Sequence, residues 1–240
     1  DVEIDSQGRI LVVCDQYESD PFSTFTTVFR FTSSGVLDAS FGTGGESTVA
    51  NTIEALAGGL AIDASDRPVV LGITQDPFEG DDDLFVAPFL TNGNPAFSFF
   101  PILGVGGGFR LIEAEDELTL GVNEVAGDVL IQANGKILLS ATASRISGTG
   151  VSYFFSMRLR SDGANDVTYG AGGATVGTYS EAPSQGYQDS GTAQVLDPTG
   201  LLYVAGSTRA TDAFSIPTFG VARLQNSDGV GDDIFANSFE

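Results

Sequence analysis

Apolar and polar residues alternate along this chain in short runs, and glycine or acidic turns separate the runs. The segments "EIDSQGRILVV" (3–13), "AIDASDRPVVL" (61–71), "LIQANGKILLS" (130–140) and "VLDPTGLLYVA" (195–205) share one pattern. Each predicts a strand, a four-residue turn and a second apolar strand. The turn places Gly8, Asp66, Gly135 and Gly200 at one position, which calls for a residue tolerant of positive φ. These positions are spaced by 58, 69 and 65 residues.

A second block follows each hairpin: "VFRFTSSG" (28–35), "VAPFLTNG" (86–93), "SMRLRSDG" (156–163) and "GVARLQNSDG" (220–229). Arg30, Pro88, Arg158 and Arg223 correspond, at spacings of 58, 70 and 65. Two independent blocks with nearly the same spacing indicate an internal repeat. Further strands are expected at 46–50, 96–103 and 173–180, and no segment sustains a helical period. The stretch 109–125 alternates, which predicts an extra β excursion and accounts for the longer spacing. The expected fold is all-β and β-propeller-like: four units of about sixty residues, mostly of four antiparallel strands each. A β-sandwich or an open β-solenoid is the alternative. The units divide at about 1–45, 46–95, 96–172 and 173–231, forming one repeat domain, with a strand-like tail at 232–240.

The run "FRFTSSGVLDASFGTGG", followed by an apolar strand, D-x-x-G-R/K and another strand, resembles the delta-60 repeat. The resemblance extends over residues 1–229. Unit two departs from it, with Pro88 in place of the usual Arg and "FFPILGVGGG" in place of the FG-x-GG turn. It implies a propeller-like fold in a large secreted or surface-attached bacterial protein, and it supplies no catalytic residues.

Charge narrows the partners. The 32 acids against 10 bases leave a formal charge of −22, and Lys136 is the single lysine among the 240 residues. Such a surface repels nucleic acid and anionic membranes, because both are bound through cations. No run approaches the ~20 apolar residues of a membrane-spanning helix. There is no histidine, so no Ser–His or Cys–His pair and no imidazole-ligated zinc can form. Cys14, the one cysteine, lies in an apolar run and is expected to be a buried structural thiol. Low lysine, abundant small polar residues and strong acidity point to an extracellular bacterial protein.

The glycine-rich "LDASFGTGG" (37–45) recurs as "VTYGAGG" (167–173). A phosphate cradle needs a helix N-terminus and usually a following lysine, and neither is nearby. Phe41 and Tyr169 are therefore expected to be core plugs, with the glycines turning the chain into the next unit. Two acidic stretches are candidate calcium loops, since calcium takes six to eight oxygens from flexible Asp- and Gly-rich segments. One groups Glu79, Asp81, Asp82 and Asp83; the other groups Asn226, Asp228, Asp232 and Asp233. No other cofactor is indicated. Glycoside hydrolysis needs two facing acids, for which Asp63, Glu115 and Asp197 are candidates. However, Asp5, Asp63 and Asp197 recur at one repeat position, which turn chemistry explains. No catalytic residue is assigned, and the chain is expected not to be an enzyme.

Its ends suggest a role. The first unit lacks the strand equivalent to 46–50, while the tail offers Ile234, Phe235 and Phe239 as an interface strand. Filling the vacancy within its own chain would close the ring; filling it in a neighbouring copy would build a head-to-tail fibre or matrix by strand exchange. The alternative is a monomeric module binding glycan or protein through loops such as 16–24, 75–83 and 145–152.

Overall fold

A computed structural model describes residues 1–19, 22–49, 55–75, 82–96, 108–112, 123–144, 151–177, 179, 187–210, 216–224 and 235–238. These residues contain strands and turns and no helix. Unit one consists of β1 (Val2–Ile4), β2 (Ile10–Ser19), β3 (Phe22–Phe31) and β4 (Glu46–Thr48). Unit two has β5 (Leu56–Ile62), β6 (Pro68–Gln75), β7 (Asp82–Pro88) and β8 (Arg110–Ile112). Unit three has β9 (Asn123–Ile131), β10 (Ile137–Ser144), β11 (Ser152–Leu159) and β12 (Ala174–Gly177). Unit four has β13 (Tyr187–Leu196), β14 (Leu202–Ala210), β15 (Thr218–Leu224) and β16 (Phe235–Ser238). Each unit is an antiparallel meander whose strands pair in chain order. Unit one is a separate four-stranded sheet. Units two to four are joined into a twelve-stranded sheet by single parallel bridges, Asp82 to Asn123 and Ser152 to Gln188. The sheets do not close into a barrel.

This pairing shifts the phase of the repeat read from sequence. Glu46–Thr48 pairs with β3 and completes unit one, so that unit has no vacancy. Phe235–Ser238 pairs with β15 of its own chain, with Phe235 opposite Arg223, as the fourth strand of unit four. The structural motive for strand exchange in trans is therefore removed; Ile234 and Phe239 lie outside the described residues. The expected β excursion at 109–125 resolves into β8 and the start of β9, with 113–122 between them outside the described residues.

The hairpin turns follow the expected chemistry. Asp5 accepts hydrogen bonds from the backbone N–H groups of Gln7 and Arg9, Asp63 from Ser65 and Arg67, and Asp197 from Thr199 and Leu201. Gly8, Asp66, Gly135 and Gly200 adopt φ of 73°, 58°, 81° and 88°. Asp66 tolerates this region because its carboxylate is held across the seam by the backbone N–H and hydroxyl of Ser6.

The core lies between units. In every unit one sheet face, here the leading face, turns toward the preceding unit, and the opposite, trailing face turns toward the next. Leu11, Val13 and Val28 of unit one pack with Leu60, Val70 and Phe85 of unit two. Val69, Leu71 and Val86 of unit two meet Ile137, Leu139 and Met157 of unit three. Leu138, Phe154 and Tyr169 of unit three meet Leu202, Val204 and Leu224 of unit four. Strands covered on both faces are buried almost continuously, as in β7 and β10, whereas β14 at the end of the series alternates buried and accessible positions. Seam hydrogen bonds recur too. Asp15 accepts from Ala57 N–H at 2.7 Å, and Thr142 at the equivalent position accepts from Gly191 N–H at 3.1 Å. Both donors sit at β-bulges in the first strand of their unit.

Phe41 and Tyr169 are fully buried plugs. Arg30 stacks over Phe41 at 4.6 Å and Arg158 over Tyr169 at 4.9 Å. The glycines turn the chain from the third strand to the fourth of the same unit, not into the next unit. At Gly42 and Gly170 a Cβ would lie 1.9 and 2.1 Å from the carbonyl oxygens of Glu46 and Ala174. Cys14 is exposed, which corrects the expectation of a buried thiol. It lies on the leading face of unit one, at the repeat position that holds the fully buried Ala141 in unit three; none of the described units packs over it.

Candidate functional site

The turn acids are structural. Burial pushes the Asp63 carboxyl up, but hydrogen bonds from the Arg67 side chain and the backbone N–H groups of Arg67 and Ser65 hold it below the ordinary carboxylate range. Hydrogen bonds from Thr199, both hydroxyl and backbone, hold Asp197 low against a smaller effect of burial. A carboxylate pinned in its ionised form is a poor proton donor at neutral pH. Asp63 and Asp197 therefore do not serve as a catalytic pair, and Glu115 lies outside the described residues.

A different set of acids lies at the seams. Asp83 in β7 is 2% exposed and Glu124 in β9 is 1% exposed. They come from different units, and the parallel bridge between Asp82 and Asn123 sets the two strands side by side one residue before each acid. Each acid follows the bridged residue of its strand by one position, so the two project to the same side, opposite to that of Asp82 and Asn123. Asn123 further ties the strands, as its side-chain oxygen accepts from Asp82 N–H at 3.4 Å and its carbonyl from the Ser144 hydroxyl at 3.2 Å. Thr74, also buried, stands opposite Asp83 on β6.

Asp189 occupies in unit four the repeat position that Glu124 occupies in unit three, and it is fully buried. One of its oxygens accepts from Tyr179 N–H at 3.1 Å. Burial raises its carboxyl above the ordinary range, against hydrogen bonds from Thr208 and Tyr179. Burial likewise raises Asp128, which accepts from Gln194 N–H across the seam to unit four. Unit two has Ala55 where units three and four have Glu124 and Asp189. This signal was available in the sequence: a polar residue at a repeat position that another unit fills with alanine serves no shared architectural need.

Of the calcium candidates, Asp82 and Asp83 are among the described residues. Asp82 and Asp83 are neighbours on β7 and so face opposite sides of the sheet. Glu79 and Asp81 lie outside the described residues, as do Asn226, Asp228, Asp232 and Asp233. Among the described residues no group of three or more carboxylate or thiol side chains is placed to hold a metal ion.

A cavity of about 280 Å³ opens at the turn end of the seam between units two and three, lined by Asp63, Arg67, Pro88, Phe89, Ile131 and Asp162 among others. Pro88 lines it at the repeat position where unit one carries Arg30. In unit one, Arg30 reaches across and donates to the Thr91 carbonyl of the next unit. Proline cannot reach across, and Arg110 of β8 instead donates to the Gly163 carbonyl at 2.6 Å.

No family model matches the chain, and no curated protein matches it. Among solved structures it is similar to an endo-arabinase from Bacteroides thetaiotaomicron, at 16% identity and a TM-score of 0.50, over 95% of this chain and 75% of that one. It is also similar to the polysaccharide lyase Uly1, at 12% identity and a TM-score of 0.51, over 98% of this chain and 59% of that one. At these identities the likeness concerns fold alone. Both of these neighbours are enzymes, which stands against the expectation of a non-enzyme.

Proposed function

We propose that this chain is a four-unit, β-propeller-like domain that hydrolyses a neutral polysaccharide, with Asp83 and Glu124 as its carboxylate pair. The observation that carries this reading is the placement of two almost fully buried acids, from two units, on adjacent parallel strands. Glycoside hydrolysis needs two carboxyl groups on either side of the scissile bond, about 5–5.5 Å apart in retaining enzymes and about 6.5–9.5 Å in inverting ones. In the retaining scheme one carboxyl protonates the departing glycosidic oxygen while the other attacks the anomeric carbon. Water, deprotonated by the first group, then releases the sugar and restores both acids. The two similar enzymes, an endo-arabinase and a polysaccharide lyase, support a polysaccharide substrate. The net charge of −22 selects within that class, since it repels polyuronates and leaves neutral glycans.

The test is release of reducing ends from arabinan, xylan and galactan, with pectate and alginate as acidic comparators, for the wild type, D83N and E124Q. The reading expects cleavage of a neutral glycan, lost by at least ~100-fold in each variant with thermal unfolding unchanged. Cleavage confined to the acidic polymers, or retained in both variants, overturns it. A second reading is non-catalytic binding of a short oligosaccharide in the cavity beside Pro88. It expects saturable binding by the wild type that is abolished when Ile131→Trp fills the space.

A further inference from the structure

The three seams inside the chain bury the same repeat positions, and the leading face of unit one and the trailing face of unit four expose the two halves of such a seam. On the leading face of unit one, Val2, Val12 and Phe29 stand in register across β1–β3, as do Ile4, Ile10 and Phe31. Val2 and Ile4 are 55% and 66% exposed. In the later units the counterparts of Val12 are Val70, Leu139 and Val204, each fully buried against the unit before it. On the trailing face of unit four, Val195 and Tyr203 are in register, as are Ala205 with Val221 and Ser207 with Phe219. Val195 and Phe219 are 58% and 59% exposed. The counterparts of Tyr203 are Leu11, Val69 and Leu138, all buried against the unit after them. Among the described residues no substantial packing links unit four back to unit one.

We propose that a second copy of this chain seats the trailing face of its unit four on the leading face of unit one, reproducing between copies the seam that joins consecutive units within one. The occupant follows from continuity with that seam, since each exposed face is the complement of the other. Charge is consistent with the pairing: Glu46 lies in register on the leading face, and Arg209 and Arg223 on the trailing face. The contact is head-to-tail, so it gives a ring if the rotation closes and a filament if it does not. It is independent of the hydrolytic reading and of the C-terminal strand, which stays in its own chain.

Light scattering behind size exclusion, on the full chain under reducing conditions, tests it. Mass is expected to rise with concentration, and more so with salt, because screening relieves repulsion between acidic copies while the apolar faces are unaffected. I4D and F219D should each weaken association at least tenfold. Mixing them is decisive: I4D keeps an intact trailing face and F219D an intact leading face, so the mixture should form a heterodimer that neither forms alone. Cys14, on the leading face, should react more slowly with a thiol reagent in the assembled wild type than in I4D. A wild type monomeric at every concentration, or variants that assemble unchanged, overturns the proposal.

Discussion

Replacing Asp166 by alanine should be among the more damaging single changes in this protein. Asp166 is 4% exposed and Arg158 is 1% exposed. The Asp166 carboxylate accepts from Arg158 Nε at 2.6 Å and pairs with Lys136 Nζ at 2.8 Å. Arg158 in turn lies over Tyr169 and donates to the Thr168 hydroxyl. Deleting the carboxylate leaves a guanidinium in the core with its countercharge gone, and breaking a buried pair this way costs about 3–5 kcal/mol. A chain of this size loses about 2–4 °C of melting temperature per kcal/mol, so D166A should melt about 6–20 °C lower. The Arg160–Asp162 pair is the internal control, with side chains 56% and 61% exposed; D162A should cost no more than about 1 kcal/mol. The double variant R158M/D166L should recover much of the loss, since no buried charge remains. Thermal unfolding followed by circular dichroism reads all four proteins. If D166A melts with D162A, or the double variant is worse than D166A, the buried pair does not carry the stability argued for it.

The pH dependence follows from the same group. Burial pushes the Asp166 carboxyl up, but Lys136, Thr168 and the Arg158 charge hold it well below the ordinary range. Its stabilisation is therefore complete above about pH 4, the unfolded value, and is lost as pH falls below it; D166A should flatten that acid limb. Asp189 has the opposite sign: its raised carboxyl favours folding below about pH 4, and that contribution fades as pH rises through the folded value. The melting difference between D189N and wild type should consequently move in favour of the variant between about pH 4 and about pH 7, and a constant difference refutes it. Gly172 has φ of 73° with open space at its Cβ, so G172A should cost about 1–2 kcal/mol for the left-handed backbone alone. G170A adds a collision 2.1 Å from the Ala174 carbonyl and should cost clearly more by urea denaturation, and equal costs would refute the close approach.

Features that depend on a few neighbouring residues were legible in the sequence. The positive φ at Gly8, Asp66, Gly135 and Gly200, the Asp-headed turns, the strand alternation and the aromatic plugs all arise from contacts within a hairpin or from residue chemistry repeated at one spacing. Which unit owns a strand is a different matter. Glu46–Thr48 and Phe235–Ser238 are short segments whose partners are chosen by pairing across long connections, so local pattern could not assign them. The same holds for Cys14, whose apolar context in sequence predicts burial but which is exposed because none of the described units packs over its face of unit one. Asp83 and Glu124 lie 41 residues apart, and only the parallel bridge between two units makes them neighbours. Sequence alone determined the repeat and its turns, because those are local. Tertiary structure decided the phase of the units, the acid pair and the two open faces, because seams between sheets are set by burial of whole faces rather than by any one segment.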